Sequence, residues 1–128
     1  MEIIHSDRAP AAIGPYSQAI RAGGLVFCSG QLGIDPATGK LAGESVEAQA
    51  EQAARNAEAI LIAAGLSLRD VVKTTCFLTD MADFAAFNEV YAKYFVSLPA
   101  RSCFAVKALP AGGRCEIEVV AAVPADEG

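Results

Sequence analysis

The sequence predicts an α+β domain, with one mixed sheet that carries two helices on a single face. Two segments, residues 46–64 and 80–95, repeat apolar residues at the spacing of an amphipathic helix. The segments around them are rich in the β-branched and aromatic residues that strands favour. The order is two strands, a helix, a strand, a helix and two strands, which suits a sheet covered on one side.

The first two strands are expected at Ser17–Arg21 and Leu25–Ser29, and the Ala-Gly-Gly of residues 22–24 joins them as a hairpin. The next segment, GIDPATGK, has the glycines and lysine of a phosphate-binding loop, but the two glycines are one residue too far apart. Leu41 also stands where that loop needs Ser or Thr. Asp35 followed by Pro36 indicates a turn, so we reject a phosphate site here.

The first helix is expected from Val46 to Ala64. Its apolar residues share one face, while most of its charged residues lie on the others. Ser45 suits the N-cap, and Glu47 places a negative charge in the first turn. Gly65 supplies the left-handed conformation that commonly ends a helix.

A strand is expected at Val71–Leu78, which reads VVKTTCFL. The second helix is expected to begin at Asp80 and to end near Phe95, with Pro99 closing the connection after it. Apolar and aromatic residues recur along this helix, and we interpret them as core residues rather than as a ligand-binding set. They are Phe84, Phe87, Val90, Tyr91 and Tyr94.

The last two strands are expected at Ser102–Val106 and Cys115–Val123. Successive side chains of a strand point to opposite faces, so Phe104 and Val106 share one face of the first of them. Because fully apolar faces belong under the helices, we expect the polar alternates on the face that no helix covers. The residues expected there are Arg101, Cys103, Glu116 and Glu118, mixed with Val120 and Ala122.

This uncovered face has two interpretations. It is either open to solvent, with Arg101 and a glutamate as a surface ion pair, or covered by another copy of the chain. The alternation of side chains is compatible with both.

Composition limits the classes of function. A chain of 128 residues, 13.2 kDa and net charge −5 fits one domain over residues 1–128 and disfavours a surface for nucleic acid. No apolar run reaches the roughly 18 residues of a membrane helix, and the N-terminus lacks a basic start and an apolar signal core. We therefore expect a soluble cytoplasmic protein with neither a membrane nor a nucleic-acid partner.

Common catalytic groups are scarce. His5 is the single histidine, and the four cysteines are far apart without a CxxC pair. We expect free thiols, no metal and no cofactor, and no nucleophile paired with a histidine. What remains is Arg101 in the segment LPARSCFAV, a cation in apolar surroundings that must be paired, exposed or ready to bind an anion.

Five segments spread along the chain carry recognisable motifs. They are APAAIGPYSQAI (9–20), FCSGQLGIDPATG (27–39), DVVKTTCFLTDMADFAAFNEVY (70–91), PARSCFAV (99–106) and CEIEVVA (115–121). In this order they resemble the Rid proteins, also called YjgF-like proteins or reactive-intermediate deaminases. The resemblance implies a chorismate-mutase-like α+β subunit and a homotrimer, in which three sheets form an inner barrel and ligand clefts lie at the subunit boundaries.

The same resemblance implies two catalytic residues. Arg101 corresponds to the arginine that binds the carboxylate of a 2-imino acid, a task that suits the paired N–H groups of a guanidinium. Glu116, the first glutamate of CEIE, corresponds to the residue that positions and activates the hydrolytic water. The alternative is that Glu116 is only the ion-pair partner of Arg101.

Further residues take binding roles by the same matching. Tyr16 would line the cleft, Ser29 and Gly30 would contact the substrate near its reacting end, and Cys103 would contribute mainly through its backbone. Asn88 matches a helix asparagine near the cleft, although a plain polar position on the second helix is an equal interpretation. The segment FVSLP before the PARS motif looks shorter than in some members, which leaves the substrate range open.

The reaction that the resemblance implies is hydrolysis of 2-aminoacrylate, 2-iminopropanoate or 2-iminobutanoate to a 2-oxo acid and ammonia. Two other functions stay open at this point. One is an endoribonuclease or translation inhibitor, a label that some relatives carry. The other is a module that binds small carboxylates without turning them over.

Overall fold

The computed structural model describes residues 1–125 and contains eight strands and two α-helices in that range. In chain order the elements are β1 (Glu2–Ile4), β2 (Ala19–Ala22), β3 (Leu25–Leu32), β4 (Ile34–Asp35), β5 (Lys40–Leu41), α1 (Val46–Ala63), β6 (Val71–Leu78), α2 (Phe84–Tyr94), β7 (Ala100–Ala105) and β8 (Cys115–Ala122). The α+β class, the mixed sheet and the two helices are confirmed.

Six strands form the main sheet in the order β1-β2-β3-β8-β6-β7. Neighbouring strands are antiparallel except for β6 and β7. These two run parallel because α2 returns the chain to the end of the sheet at which β6 begins. Strands β4 and β5 pair with each other as a small separate hairpin. The sheet therefore has β7 as one edge strand, and α2 lies directly before that strand in the chain.

Helix α1 provides most of the cover of the sheet. Ser45 caps its N-terminus, since its hydroxyl accepts a hydrogen bond from the backbone N–H of Ala48 at 3.1 Å. Ala53, Ala57 and Ile60 are fully buried against β3 and β8, and the small alanine side chains let the helix lie close to the strands. Within residues 1–125, no helix has the length and apolar character to cross a membrane.

The elements differ from the sequence expectation in several places: β2 begins at Ala19, β3 continues to Leu32 and β7 begins at Ala100, and three further differences are larger. The short strand β1 was not predicted, and the segment GIDPATGK, expected as a loop, forms the β4–β5 hairpin. Helix α2 begins at Phe84 rather than Asp80, because a 3₁₀ turn over Met81–Asp83 precedes it. The Asp80 carboxylate accepts a hydrogen bond from the N–H of Ala82 at 2.9 Å and stabilises that turn.

The expected placement of Arg101 and Cys103 on the uncovered face is wrong. In the parallel β6–β7 pair Arg101 lies beside Thr74 and Cys103 beside Cys76, and Thr74 and Cys76 are fully buried under the helices. Arg101 is tolerated there because β7 is an edge strand, so its guanidinium lies at the rim of α2 rather than beneath it.

Phe104 accordingly faces the other way from expectation. It is 45% exposed on the face without helices, where its ring meets the Phe77 ring edge-on with centroids 5.4 Å apart. Glu116 pairs with Phe77 across β6 and β8 and therefore shares that face, as expected. We call this side of the main sheet the open face.

Candidate active site

A cavity of about 900 Å³ lies at one end of the open face. Its walls come from residues 10–16, from the middle of β3, from the β4–β5 hairpin and from β8. The lining is mainly apolar, with Glu116 and Glu118 among the charged groups that reach it. Tyr16, Ser29, Gly30 and Glu116, four of the residues predicted for the site, all line this cavity.

A β-bulge in β3 shapes the cavity floor. Cys28 pairs with Val119 and Gln31 with Ile117, so three steps along β3 match two along β8 and one residue is extra. The extra residue falls at Ser29 and Gly30, and the Ser29 hydroxyl donates a hydrogen bond to the Ser17 carbonyl at 2.7 Å.

Gly30 leaves room for the Glu116 side chain. A Cβ built on Gly30 would overlap the Glu116 carboxylate and would lie 2.7 Å from its carboxyl carbon. The Glu116 side chain therefore occupies the space that any other residue at position 30 would fill. The bulge and the glycine together place a carboxylate against bare backbone at the cavity wall.

The environment of Glu116 favours its neutral form more than water does. Partial burial is the main cause that raises its pKa above the ordinary value, and the negative charge of Glu118 raises it further. Glu116 forms no ion pair within residues 1–125. A carboxyl group of this kind can accept and return a proton at a higher pH than an exposed glutamate does.

The rim of the cavity is held in place by Gln18, which is 3% exposed. Its amide nitrogen donates to the carbonyls of Ser6 at 3.0 Å and Pro10 at 2.8 Å, and its amide oxygen accepts from the N–H of Ser6 at 2.7 Å. These bonds anchor the start of the segment that carries Tyr16, whose side chain stands at the cavity mouth and is 53% exposed.

Arg101 lies in a different environment, between β7 and α2. Its guanidinium donates a hydrogen bond to the Asn88 amide oxygen at 2.7 Å. The guanidinium carbon lies 4.8 Å from the centre of the Tyr91 ring and 5.5 Å from that of Phe84. No acidic side chain pairs with Arg101 in the described part of the chain. The result is a cation that is held in position but not neutralised.

Cys103 lies on the same side of β7 as Arg101 and next to Cys76 on β6. Partial burial raises the pKa of its thiol, with Arg101 acting in the opposite direction. Burial raises the pKa values of Cys28, Cys76 and Cys115 to about 12. All four are free thiols that stay protonated near neutral pH, so none of them has the character of an activated nucleophile.

The structure thus divides the predicted site residues into two groups on opposite faces of the main sheet. Tyr16, Ser29, Gly30 and Glu116 form the cavity group, and Asn88, Arg101 and Cys103 form the arginine group. The alternative in which Glu116 is merely the ion-pair partner of Arg101 is wrong within one chain, because β6 separates their strands and their side chains face opposite ways.

The two groups offer complementary chemistry. The arginine group can bind an anion with its free N–H groups, and the cavity group can activate water through a carboxylate. Among residues 1–125, no three His, Cys, Asp or Glu side chains come together as a metal site requires.

Three residues around the site were not assigned a role from the sequence. Gln18 carried no signal, since an isolated Gln in a strand pattern is normally a surface residue. Tyr91 and Phe84 were predicted to point inward and do so, but their spacing indicates core packing rather than contact with a guanidinium. Only the contact between α2 and β7 shows that their rings support Arg101.

Comparisons with known proteins agree with this architecture. Residues 6–123 match the family model described as Endoribonuclease L-PSP. The Reactive Intermediate Deaminase A of Arabidopsis thaliana is 54% identical over 121 residues, which cover 94% of this chain and 65% of that protein. The 2-iminobutanoate/2-iminopropanoate deaminase of Mus musculus is 50% identical over 94% of this chain and 90% of its own length.

Solved structures give the same result. The crystal structure of RidA from an Antarctic Psychrobacter superposes with a TM-score of 0.92 and 49% identity, and covers 96% of this chain and 100% of that one. E. coli TdcF with bound serine superposes with a TM-score of 0.91 and 44% identity, covering 95% and 98% of the two chains. Sequence and structure together place this chain in the Endoribonuclease L-PSP family, the YjgF/Rid proteins, to which it belongs.

Proposed function

We propose that this chain is a hydrolytic deaminase of small 2-imino acids, which it converts to 2-oxo acids and ammonia. The observation that carries the proposal is the pair of unpartnered charges, Arg101 and Glu116, of which one can hold a carboxylate and the other can activate water. Mouse, goat and bovine relatives about half identical to this chain bear the name 2-iminobutanoate/2-iminopropanoate deaminase, which supports the same reaction.

The complete site requires more than one copy of the chain, because Arg101 and Glu116 lie on opposite faces of one sheet. The open face exposes Phe27 and Phe104, each close to half exposed, on a side that no helix covers. An apolar face of this kind is a common site of self-association. We propose a chorismate-mutase-like homotrimer whose three open faces form an inner barrel, with Arg101 of one copy beside the Glu116 cavity of the next.

This assembly has a direct test. Sedimentation at micromolar concentration should give three times the 13.2 kDa of one chain. A monomer under these conditions would contradict both the trimer and the shared site. Substitution of Phe104 by Asp, which places a charge on the open face, should shift the protein toward smaller species, whereas Met81→Asp outside that face should not.

The reaction proceeds in balanced steps. The guanidinium of Arg101 holds the substrate carboxylate through two N–H groups, which fixes the C=N carbon beside the cavity. The imine enters with its nitrogen protonated, and the Glu116 carboxylate takes a proton from a water molecule as the water oxygen attacks the carbon, which gives a neutral carbinolamine. Glu116 then returns this proton to the carbinolamine nitrogen, and the C–N bond breaks to release ammonia. The carbinolamine hydroxyl loses its proton to water as the C=O bond forms, and a 2-oxo acid remains.

The other predicted residues have supporting roles in this scheme. Tyr16 closes the mouth of the cavity, and Ser29 and Gly30 lie where the reacting end of the substrate would approach Glu116. Asn88 orients Arg101 through its 2.7 Å hydrogen bond, and Cys103 contributes backbone beside it. Imines already hydrolyse in water without a catalyst, so positioning of the substrate and one proton-transfer group are sufficient to accelerate the reaction.

The net charge of −5 weighs against a ribonuclease, since RNA binding depends on clustered Lys and Arg. The deciding experiment is a coupled assay in which a threonine dehydratase generates 2-iminobutanoate and its decay is timed with and without this protein. Faster decay with matching release of ammonia is expected. Unchanged decay together with binding of 2-oxobutanoate would instead indicate a carboxylate-binding module, and salt-sensitive RNA cleavage would indicate a nuclease.

A further inference from the structure

We propose that Tyr91, anchored by Thr74, is a positioning residue that fixes the guanidinium of Arg101 and thereby sets the preference for a carboxylate over an uncharged ligand. The inference rests on the proposed function, in which Arg101 holds the substrate carboxylate. It assigns roles to two residues that contribute nothing to the chemical step itself.

Arg101 needs such support because it lacks an acidic partner. An arginine side chain has several rotatable bonds, and ordering it for ligand binding is unfavourable unless other groups already restrict it. Asn88 provides one hydrogen bond, at 2.7 Å, to one of the five N–H donors of the guanidinium. The face of the Tyr91 ring, 4.8 Å from the guanidinium carbon, restricts the plane of the group.

An aromatic ring has an advantage over a carboxylate in this position. A carboxylate would neutralise Arg101 and occupy the N–H donors that a substrate needs. A ring contacts the flat face of the guanidinium and leaves the N–H groups at its edge free. Arg101 is thus held while its capacity for a bidentate bond to a carboxylate is preserved.

Tyr91 is itself fixed on two sides. Its hydroxyl lies 2.7 Å from the Thr74 hydroxyl, and Thr74 is fully buried. Its ring stacks on the buried ring of Phe95, with centroids 4.5 Å apart and planes inclined by 23°. Partial burial raises the pKa of Tyr91, so the hydroxyl remains protonated and able to keep this bond near neutral pH.

The register of the sheet links these contacts. Thr74 on β6 lies directly beside Arg101 on β7, so the strand next to the arginine carries the anchor of the ring that supports it. A change at Thr74 would therefore reach Arg101 through Tyr91, not through a direct hydrogen bond. This predicts that Thr74→Val and Tyr91→Phe, which each break the same bond, have similar and non-additive effects.

The test measures affinity for two stable ligands by NMR titration: 2-oxobutanoate, and the uncharged 2-oxobutanamide of nearly the same shape. Tyr91→Leu removes the ring and should lower the affinity for 2-oxobutanoate at least about tenfold. The affinity for 2-oxobutanamide should stay within about twofold of the wild-type value. Tyr91→Phe and Thr74→Val keep the ring and should lower the affinity for 2-oxobutanoate only about two- to threefold, because each removes the hydrogen bond between Tyr91 and Thr74.

Tyr94→Leu is the matched control, because it makes the same substitution on the same helix. Tyr94 donates a hydrogen bond to Glu51 at 2.8 Å, and the described contacts of the Arg101 guanidinium are with Asn88, Tyr91 and Phe84. This variant should keep the carboxylate preference of the wild type even if its melting temperature falls. Equal weakening of both ligands by Tyr91→Leu, or no weakening of either, would overturn the inference.

The same titrations separate this inference from the proposed function. Suppose that the wild-type protein binds 2-oxobutanoate through Arg101 and that Tyr91→Leu abolishes the preference for the carboxylate. If the wild type nevertheless fails to hydrolyse the imine, the deaminase function is refuted and the role of Tyr91 is supported. An Arg101→Ala variant that binds the carboxylate as the wild type does would overturn both.

Discussion

Arg101 and Glu116 are two charged groups without an ion-pair partner in residues 1–125, and their surroundings differ. Arg101 lies against two aromatic rings and an amide, which hold it in place without adding an opposite charge. Glu116 lies against bare backbone near a second carboxylate, and this environment raises its pKa.

The difference separates affinity from pH dependence. Leaving a cation unpaired provides a binding site for an anion, whereas leaving a carboxylate unpaired provides a proton acceptor. Under the proposed mechanism, changes in the arginine group should alter ligand affinity, and changes in the cavity group should alter turnover and its dependence on pH. The following substitutions test this separation, from the largest expected effect to the smallest.

Removing the cation should have the largest effect. Arg101→Ala should lower kcat/KM by about a thousandfold or more, because the substrate carboxylate loses its charged partner. Arg101→Lys keeps the charge but not the paired N–H groups, and should lose about 2 to 4 kcal/mol of transition-state stabilisation. Steady-state assays of imine hydrolysis measure both.

The control for this experiment is Arg69→Ala, an exposed arginine outside the site, which should keep wild-type turnover. Because Arg101 forms no ion pair in the described chain, its loss leaves no buried charge unpaired, and the variant should melt close to the wild-type temperature. Wild-type turnover in a well-folded Arg101→Ala protein would rule out the proposed mechanism.

Removing the carboxylate should stop turnover but not binding. Glu116→Gln should lower kcat about a hundredfold or more, as expected for loss of a general base, while the affinity for 2-oxobutanoate by NMR titration stays near that of the wild type. Glu47→Gln in the first turn of α1 is the control and should be fully active. Loss of binding with retained kcat would reverse the assignment of the two groups.

The same variant should be more stable than the wild type at neutral pH. The folded pKa of Glu116 is raised, so the folded chain binds this proton more tightly than the unfolded chain does. Stability from this group is therefore present at low pH and is lost as the pH rises through the folded pKa. Glu116→Gln removes that loss, so its melting temperature should exceed the wild-type value at pH 7 and approach it in acid.

A methyl group at position 30 should displace Glu116 without removing it. Gly30→Ala places a Cβ where the Glu116 carboxylate lies, and the flexible side chain must move aside. A shift of this size in a proton-transfer group should lower kcat about tenfold with little change in melting temperature.

Gly24→Ala provides the opposite pattern. Gly24 has a φ of +79° with no atom near its missing Cβ, so alanine there is strained but touches nothing. It should destabilise the fold by about 1 to 2 kcal/mol and leave turnover per folded protein unchanged. Equal loss of activity in both variants would mean that general destabilisation, not displacement of Glu116, causes the effect.

The smallest effect is expected from Glu118. Its negative charge raises the pKa of Glu116, so Glu118→Gln should lower that pKa. The acid limb of the pH profile of kcat/KM should then move to lower pH by less than about one unit, because Glu118 is exposed and water screens its charge. A shift to higher pH, or an unchanged limb in dilute buffer, would contradict the assignment of Glu116 as the titrating base.

Local patterns in the sequence predicted much of the fold for identifiable reasons. Strand β6 was predicted with its observed limits because β-branched residues fill it, and α1 because its alanines, its Ser45 cap and Gly65 agree. Glu116 was placed correctly because its strand is central and alternates clearly. Strand β1 has only three residues, too few for a period to show.

The face of Arg101 could not be predicted in the same way. Alternation along β7 correctly separates Arg101 from Phe104, but the face that α2 covers depends on pairing with β6, more than twenty residues earlier in the chain. An edge strand also tolerates an arginine on its covered side and a phenylalanine on its open side, so composition is misleading there. The roles of the predicted site residues stay predictions until the variants are measured.

The burial of the cysteines has a practical consequence for measuring how the chain opens. Cys28, Cys76 and Cys115 are buried with pKa values of about 12, so alkylation of these thiols requires a fluctuation that exposes them to water. Cys103, which is only half buried, should react first. When reclosing is faster than alkylation, the rates of the three slow thiols report the free energy of opening at three positions in the sheet, without any introduced label.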